Sequence, residues 1–214
     1  MVILNHIMKK LFLILLLLVA AYLIYKYAFK KDEPKGAAPQ SLAVSAHSEA
    51  FNTSVDAMLK NYFAMTDGFV NWDSSAVNKN AAALLESVGK LDMEDLKKDS
   101  IIYQTALSPV ENLKSNAGAI ISEGDWTAKR YALRDLSDNL RNFLITVKYD
   151  ADPVYWQECP MAFGEGNSGN WLSKDEAITN PYLGKKDPKY GASMLSCGET
   201  KQKIDFSVPD TTQK

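Results

Sequence analysis

The chain has 214 residues and a formal net charge of −2. Beyond one apolar run near the N-terminus, this length leaves room for one globular domain of roughly 160 residues, which can bury a substantial core. Charges of both signs are interspersed along the chain, so the sequence has no basic face and a nucleic-acid-binding protein is disfavoured.

The N-terminal segment predicts a membrane anchor. Residues 11–25 are apolar, and lysines flank them on both sides. Extended to Phe29, the run has about 19 positions, or roughly 28 Å of helix, which is nearly the thickness of a bilayer core. We therefore predict an uncleaved transmembrane anchor within residues 1–29. The alternative is a signal peptide cleaved near Ala21, although bulky residues continue the apolar run beyond that point.

A linker and a domain boundary follow the anchor. Residues 30–46 contain prolines, a glycine and polar residues, which are typical of a flexible linker. His47 opens the soluble domain, predicted over residues 47–206, and residues 207–214 form a tail. We expect this isolated histidine to be solvated rather than to bind a metal.

Apolar residues recur three and four positions apart in four stretches, and this spacing is typical of amphipathic helices. The first stretch runs from Phe51 to Val70. A cap-type break at Asp73 separates it from the second stretch, which extends toward Leu91. Met58 is a predicted core residue of the first helix. Met65 is placed off the common apolar face and is assigned no role.

The third stretch begins near Ser100 and contains Pro109, which is expected to kink the helix or to start a new turn. The fourth, from Trp126 to about Lys148, has Asp125 as its predicted N-cap. Its predicted core positions are Tyr131 or Leu133, Leu136, Leu140, Phe143, Leu144 and Val147. Short breaks between the stretches predict an all-α fold, namely an antiparallel four-helix bundle with an irregular cysteine-containing C-terminal segment.

Both cysteines lie in that C-terminal segment, which is rich in Gly, Pro and Asn and predicts an ordered loop. A short strand is expected at residues 154–156, just before Cys159. Further along, Asn180 and Pro181 are expected to initiate a turn, and Gly184 fits a position with positive φ. Trp171 and Tyr182, also in this segment, are expected to pack it onto the helices, with a docking role as the alternative.

The cysteines allow three interpretations. An even cysteine count outside the cytoplasm favours a Cys159–Cys197 disulfide, which would contribute about 4 kcal/mol at best. Alternatively, Cys159, Met161, Met194 and Cys197 form a soft-metal site, because thiolate and thioether ligands suit Cu(I). The third interpretation is a pair of buried thiols without a function. A redox change could also switch the pair between a disulfide and a metal site.

Catalysis is disfavoured by the motifs that the sequence lacks. It contains no Gly-x-Ser-x-Gly, no Walker-type phosphate loop, no His-Glu-x-x-His and no Cys-x-x-Cys. With two histidines in the chain, a histidine-based zinc enzyme is also disfavoured. We therefore expect a protein that is not an enzyme.

Four short motifs occur in order between residues 159 and 198, namely Cys-Pro-Met, Trp-Leu-Ser, Asn-Pro-Tyr-x-Gly and Met-Leu-x-Cys-Gly. They resemble an uncharacterised bacterial family, the domain of unknown function numbered three-three-four-seven, and the resemblance extends from about Ala50 to Ile204. Members of that family occur alone in the cell envelope or fused to adaptor subunits of heavy-metal efflux pumps. The resemblance thus implies a metal-handling context, with efflux-pump components as candidate partners.

These observations lead to a primary hypothesis and an alternative. In the first, the protein is anchored in the inner membrane and its periplasmic domain binds a soft metal, copper, as an accessory to heavy-metal efflux. In the second, it is a structural or protein-interaction module whose two cysteines form a disulfide and which binds no metal.

Overall fold

The computed structural model describes Tyr22 and residues 47–207. The predicted anchor, the linker over residues 30–46 and the tail beyond Ser207 lie outside the described residues, apart from Tyr22. Among the helices that are described, none combines the length and apolar character needed to span a membrane.

Four α-helices and one short 3-10 helix form the first two thirds of the described domain. They are α1 (Glu49–Val70), α2 (Ser74–Gly89), the 3-10 helix (Asp95–Lys98), α3 (Ser100–Ser122) and α4 (Trp126–Val147). All four predicted helical stretches are thereby confirmed. The helix α3 continues through its proline as one element.

Local capping explains where the helices begin. Each α-helix starts after a side-chain oxygen that accepts a hydrogen bond from an amide of the first turn, and these caps are Ser48, Asp73, Asp99 and Asp125. The predicted caps at Asp73 and Asp125 are confirmed. Each cap satisfies an amide that would otherwise have no partner within its helix.

The apolar stripes face a common core. On α4 the predicted positions 136, 140, 143, 144 and 147 are buried, and Leu133 rather than Tyr131 occupies the remaining core position. On α1, Met58 is buried as predicted, but Met65 is fully buried as well, so the sequence prediction that left it without a role was wrong. Met65 follows Tyr62 by three residues and precedes Phe69 by four, so it does lie on the apolar stripe.

The C-terminal segment corrects the prediction of an all-α fold with an irregular C-terminal segment. It contains three strands, β1 (Val154–Cys159), β2 (Gly169–Ser173) and β3 (Glu199–Ile204), which form an antiparallel sheet in the order β2-β1-β3. The strand predicted at residues 154–156 is confirmed and extends to the first cysteine. The described domain is therefore mainly helical with a small sheet.

Two buried tyrosines cover the outer edge of β2. The Leu172 amide donates to Tyr62 Oη at 3.1 Å, and the Tyr62 hydroxyl lies 2.7 Å from Ser137 Oγ on α4. The Tyr182 hydroxyl donates to the Asn170 carbonyl. Burial raises the pKa of both hydroxyls above the ordinary value, so they remain neutral donors. An edge strand with open backbone groups is thus closed by side chains that also attach the sheet to α1 and α4.

Candidate functional site

Strand pairing brings the two cysteines together. Cys159 ends β1, and Cys197 lies two residues before β3 begins. Because Glu158 pairs with Glu199 across these antiparallel strands, the cysteines meet at the end of the ladder. Their Sγ atoms are 2.7 Å apart although 38 positions separate them in the chain. Both the disulfide and the metal hypotheses require this convergence.

The distance between the sulfurs favours direct pairing over a shared metal. Two thiolates bound to one tetrahedral ion at about 2.3 Å are roughly 3.8 Å apart. A disulfide holds its sulfurs about 2.05 Å apart. The structure describes Cys159 and Cys197 as thiols, and their 2.7 Å separation is too short for an ion to bind between them without moving them apart.

The electrostatic setting makes the reduced Cys159 thiol unreactive. Burial, and after it the neighbouring Cys197 thiol, raise the pKa of the Cys159 thiol to about 12, against opposing hydrogen bonds from Met161 and Asn180. A cysteine needs its thiolate form to act as a nucleophile or as a metal ligand. At neutral pH Cys159 is a neutral thiol, which is unlike a catalytic cysteine and typical of a structural one.

The two methionines of the predicted metal site lie in turns beside the cysteines. Met161 is 36% exposed, and its carbonyl accepts a hydrogen bond from Gly164. The Met194 carbonyl accepts one from the Cys197 amide at 3.0 Å. Within residues 47–207, the polar contacts of both methionines run through the backbone, and no cluster of three or more His, Cys, Asp or Glu is arranged to hold a metal ion.

Asn180 connects the Asn-Pro-Tyr-x-Gly motif to the cysteine pair. Its side chain is fully buried, and its Oδ1 accepts from the Tyr182 amide at 2.9 Å, which closes the predicted turn. Its Nδ2 donates to the Met194 carbonyl at 3.3 Å, and its backbone amide donates to the Leu195 carbonyl at 2.8 Å. A single side chain thus joins this turn to the turn that precedes Cys197. Sequence reasoning identified the turn but not this connection.

The same motif attaches the segment to the end of α1. Trp72 Nε1 donates to the Leu183 carbonyl at 2.8 Å, and the Lys185 amide donates to the Val70 carbonyl at 2.8 Å. Gly184 between them has a φ of +59°, as predicted, and a Cβ there would lie 2.6 Å from the Val70 oxygen. A glycine is required at this contact because the backbones approach too closely for any side chain.

An exposed aromatic face adjoins the first cysteine turn. Tyr131 of α4 stacks on Phe163, with ring centroids 4.1 Å apart and planes 11° apart. The Arg134 guanidinium lies over both rings, at 5.1 and 5.6 Å from their centroids. Tyr131 is 41% exposed, and the exposed Met161 lies two residues from Phe163 in the chain. We call Tyr131, Arg134, Met161 and Phe163 the aromatic face.

His47 is not solvated, which corrects the sequence expectation. Its side chain is 4% exposed. Its Nδ1 lies 2.8 Å from Asp95 Oδ2, its Nε2 lies 2.6 Å from the Val147 carbonyl oxygen, and its ring stacks on Phe51. The ring is buried because the 3-10 helix and the end of α4 both pack against the start of α1. Sequence spacing gives no signal for contacts of this kind.

The fold and the site define a class of protein, a mainly helical domain with a small antiparallel sheet and a partly buried cysteine pair. Residues 58–151 match the model of the family described as "Protein of unknown function (DUF3347)", and this match supports the predicted resemblance over that part of the chain. The matched range begins within α1 and ends just after α4, so it is shorter than the predicted extent from about Ala50 to Ile204 and does not include the four motifs of the cysteine segment. Comparisons with curated proteins and with solved structures gave no match.

Proposed function

We propose that the protein is a non-enzymatic protein-interaction module of the cell envelope, in which a Cys159–Cys197 disulfide fixes the C-terminal segment. The observation that carries this proposal is the 2.7 Å approach of the two sulfurs in a partly buried site. Disulfides persist in oxidising compartments, which supports a periplasmic domain attached to the inner membrane by the N-terminal segment.

The aromatic face is the proposed docking surface. Tyrosine and arginine are enriched among the residues that dominate binding energy at protein interfaces. Tyr131 and Met161 are both exposed, and Met161 lies two residues after Cys159, so the disulfide would restrain the turn that carries it. The family resemblance makes a heavy-metal efflux component the first partner to test.

Thiol counting tests the disulfide directly. The full-length chain, purified from the envelope without reductant, should react with no iodoacetamide after unfolding and with two equivalents after reduction. Two reactive thiols without reductant would contradict the proposal.

Crosslinking tests the docking face. A photoreactive phenylalanine analogue at Met161 should crosslink one defined envelope protein, whereas the same group at Leu107 on α3, which is 37% exposed, should not. The crosslink at Met161 should weaken when both cysteines are replaced by serine. Equal crosslinking from Met161 and Leu107 would count against a specific surface.

Copper binding is the second candidate function. The convergence of Cys159 and Cys197, with Met161 and Met194 in the adjoining turns, supports a Cu(I) site in the reduced protein. Because the pKa of Cys159 is raised, binding must displace a tightly held proton, and affinity should fall as the pH falls. Cu(I) titration of the reduced wild type and of the Met161→Leu/Met194→Leu variant tests this function. Equal Cu(I) affinities of the two proteins would show that Met161 and Met194 are not copper ligands.

We also propose that the four helices form an antiparallel bundle. Short connections at residues 71–73 and 123–125 support it, because short loops join antiparallel neighbours. Near the start of α4, Lys129 reaches the Ile120 carbonyl near the end of α3. Further along α4, Asn139 contacts Asn112 near the middle of α3, which is the order that an antiparallel pair requires.

A further inference from the structure

His47 lies at a junction of three elements. Its backbone amide donates to Asp150 Oδ2 at 3.2 Å, just after α4. The adjacent Ser48 amide donates to Asp95 Oδ1 at 3.2 Å on the 3-10 helix. Asn52 on α1 donates to the other oxygen of Asp150 at 3.0 Å. The first turn of α1 is thus tied to the 3-10 helix and to the chain that leaves α4.

The ring of His47 contacts only acceptors through its two nitrogens. Nδ1 faces the Asp95 carboxylate at 2.8 Å, and Nε2 faces the Val147 carbonyl oxygen at 2.6 Å. A carbonyl oxygen cannot donate, and an ionised carboxylate accepts only. Burial raises the pKa of Asp95, but hydrogen bonds from His47, Lys98 and Ser48 hold it below its ordinary value, so this carboxyl is ionised at neutral pH.

Only a ring that carries a proton on both nitrogens can donate to both acceptors. We propose that His47 is an imidazolium clamp that holds the start of α1 to Asp95 and to the end of α4, and that the clamp weakens as the pH rises. The Val147 carbonyl belongs to the last turn of α4, where the helix dipole favours a positive charge. The face of the ring lies on Phe51, with centroids 4.2 Å apart.

The charged groups around His47 determine the pH range over which the clamp stabilises the folded domain. Asp95 faces the ring, Lys98 faces Asp95, Asp150 faces the backbone of His47, and Lys148 follows Val147 in the chain. A neutral imidazole has one N–H and can serve only one of the two acceptors. The contribution of the clamp is therefore present where the ring is doubly protonated, and it declines as the pH rises and one of the two protons is lost.

Asp95 determines how far the pH can fall before the clamp is lost. Because hydrogen bonding lowers the pKa of Asp95 in the folded state, the stability that its carboxylate contributes is present above the ordinary carboxyl range. That stability is lost as the pH falls through the lowered pKa. The clamp is therefore expected to be strongest in mildly acidic solution.

The test compares thermal midpoints of the full-length chain in detergent at pH 6.0 and 8.5. His47→Gln should lower the midpoint by about 2–4 °C more at pH 6.0 than at pH 8.5, which is the shift expected for about 1 kcal/mol in a domain of this size. His6→Gln changes the other histidine of the chain and is the matched control, with no pH-dependent effect expected. An equal effect of His47→Gln at both pH values would overturn the proposal.

A second measurement covers the case in which His47→Gln fails to fold. In wild-type protein labelled with ¹⁵N-histidine at pH 6.0, both ring nitrogens of His47 should be protonated, and a His6→Gln sample assigns the signals. A His47 ring with a single N–H at that pH would also overturn the proposal.

Discussion

Asn180→Ala is the substitution that tests most directly how the cysteine segment is held. The change removes the oxygen that accepts from the Tyr182 amide and the nitrogen that donates to the Met194 carbonyl. The Tyr182 residue is fully buried, so its amide would have no water to replace the lost acceptor. The Met194 residue is partly exposed, and its carbonyl could be partly solvated.

A buried polar group that loses its partner costs about 1–3 kcal/mol. With one such group fully buried and one half-buried, we expect Asn180→Ala to lower the free energy of unfolding by about 2–4 kcal/mol. At about 2 kcal/mol per molar urea, the midpoint should fall by about 1–2 M. Tryptophan fluorescence in urea measures this change, because Trp171 is buried in the same segment.

Asn167→Ala is the matched control. Asn167 lies in the same segment, but it is exposed and its side chain donates only to the nearby Glu165 carbonyl. It should change the free energy of unfolding by less than about 0.5 kcal/mol. Asn180→Asp provides a second check, because burial would raise the pKa of the introduced carboxyl and the loss of stability should grow as the pH rises. Equal effects of Asn180→Ala and Asn167→Ala would refute the role of Asn180.

Three further predictions follow from the core, the sheet edge and the thiols. Leu140→Ala should cost about 2–5 kcal/mol in urea unfolding, since the side chain is fully buried, and an unchanged midpoint would contradict its core position. Tyr62→Phe should cost about 1–3 kcal/mol by leaving a β2 amide unpaired, whereas Tyr131→Phe, at an exposed ring, should be nearly neutral. In the folded reduced protein, iodoacetamide should modify Cys197 at least about tenfold faster than Cys159, because burial raises the pKa of Cys159 to about 12, and equal rates would refute this.

The helical part of the fold was predictable because its signals are local. Apolar spacing and N-cap side chains both act within one or two turns, so Asp73 and Asp125 could be identified without knowledge of tertiary contacts. The strands β2 and β3 were not predicted, because they carry no comparable local signal. In β3 only Ile204 is buried, and the remaining residues are polar or charged, as expected of an exposed edge strand. Nothing in its own sequence alternates between apolar and polar residues.

The site was predictable only in part. The sequence identified Cys159 and Cys197 as a pair, but their approach depends on the pairing of β1 with β3, which the sequence did not predict. The partners of His47 lie 48 and 100 positions away in the chain, beyond the reach of any spacing rule. Met161 and Met194 were predicted from their residue type alone, and the Cu(I) titration tests whether they bind the metal.

The last prediction concerns the glycine that follows the second cysteine. Gly198 has a φ of +136°, and a Cβ at this position would lie 2.5 Å from the Glu158 carbonyl oxygen and 3.1 Å from the Trp171 ring. The oxygen belongs to β1 and cannot move aside without disturbing the strand. Gly191 also has a positive φ, +57°, but a Cβ there would meet nothing within 4 Å. Gly191 therefore gives the cost of an ordinary left-handed conformation alone, whereas Gly198 combines a φ that is more strained for other residues with crowding.

Gly191→Ala should cost only the conformational penalty, about 1 kcal/mol. Gly198→Ala adds a more strained φ and the collision with Glu158, and it should cost at least about 3 kcal/mol in urea unfolding. It should also move Cys197 away from Cys159, so that dithiothreitol reduces the proposed Cys159–Cys197 disulfide faster in this variant than in Gly191→Ala. If the two variants unfold at the same urea concentration and are reduced at the same rate, the close approach of β1 to the Cys197 turn does not hold the sulfur pair in place.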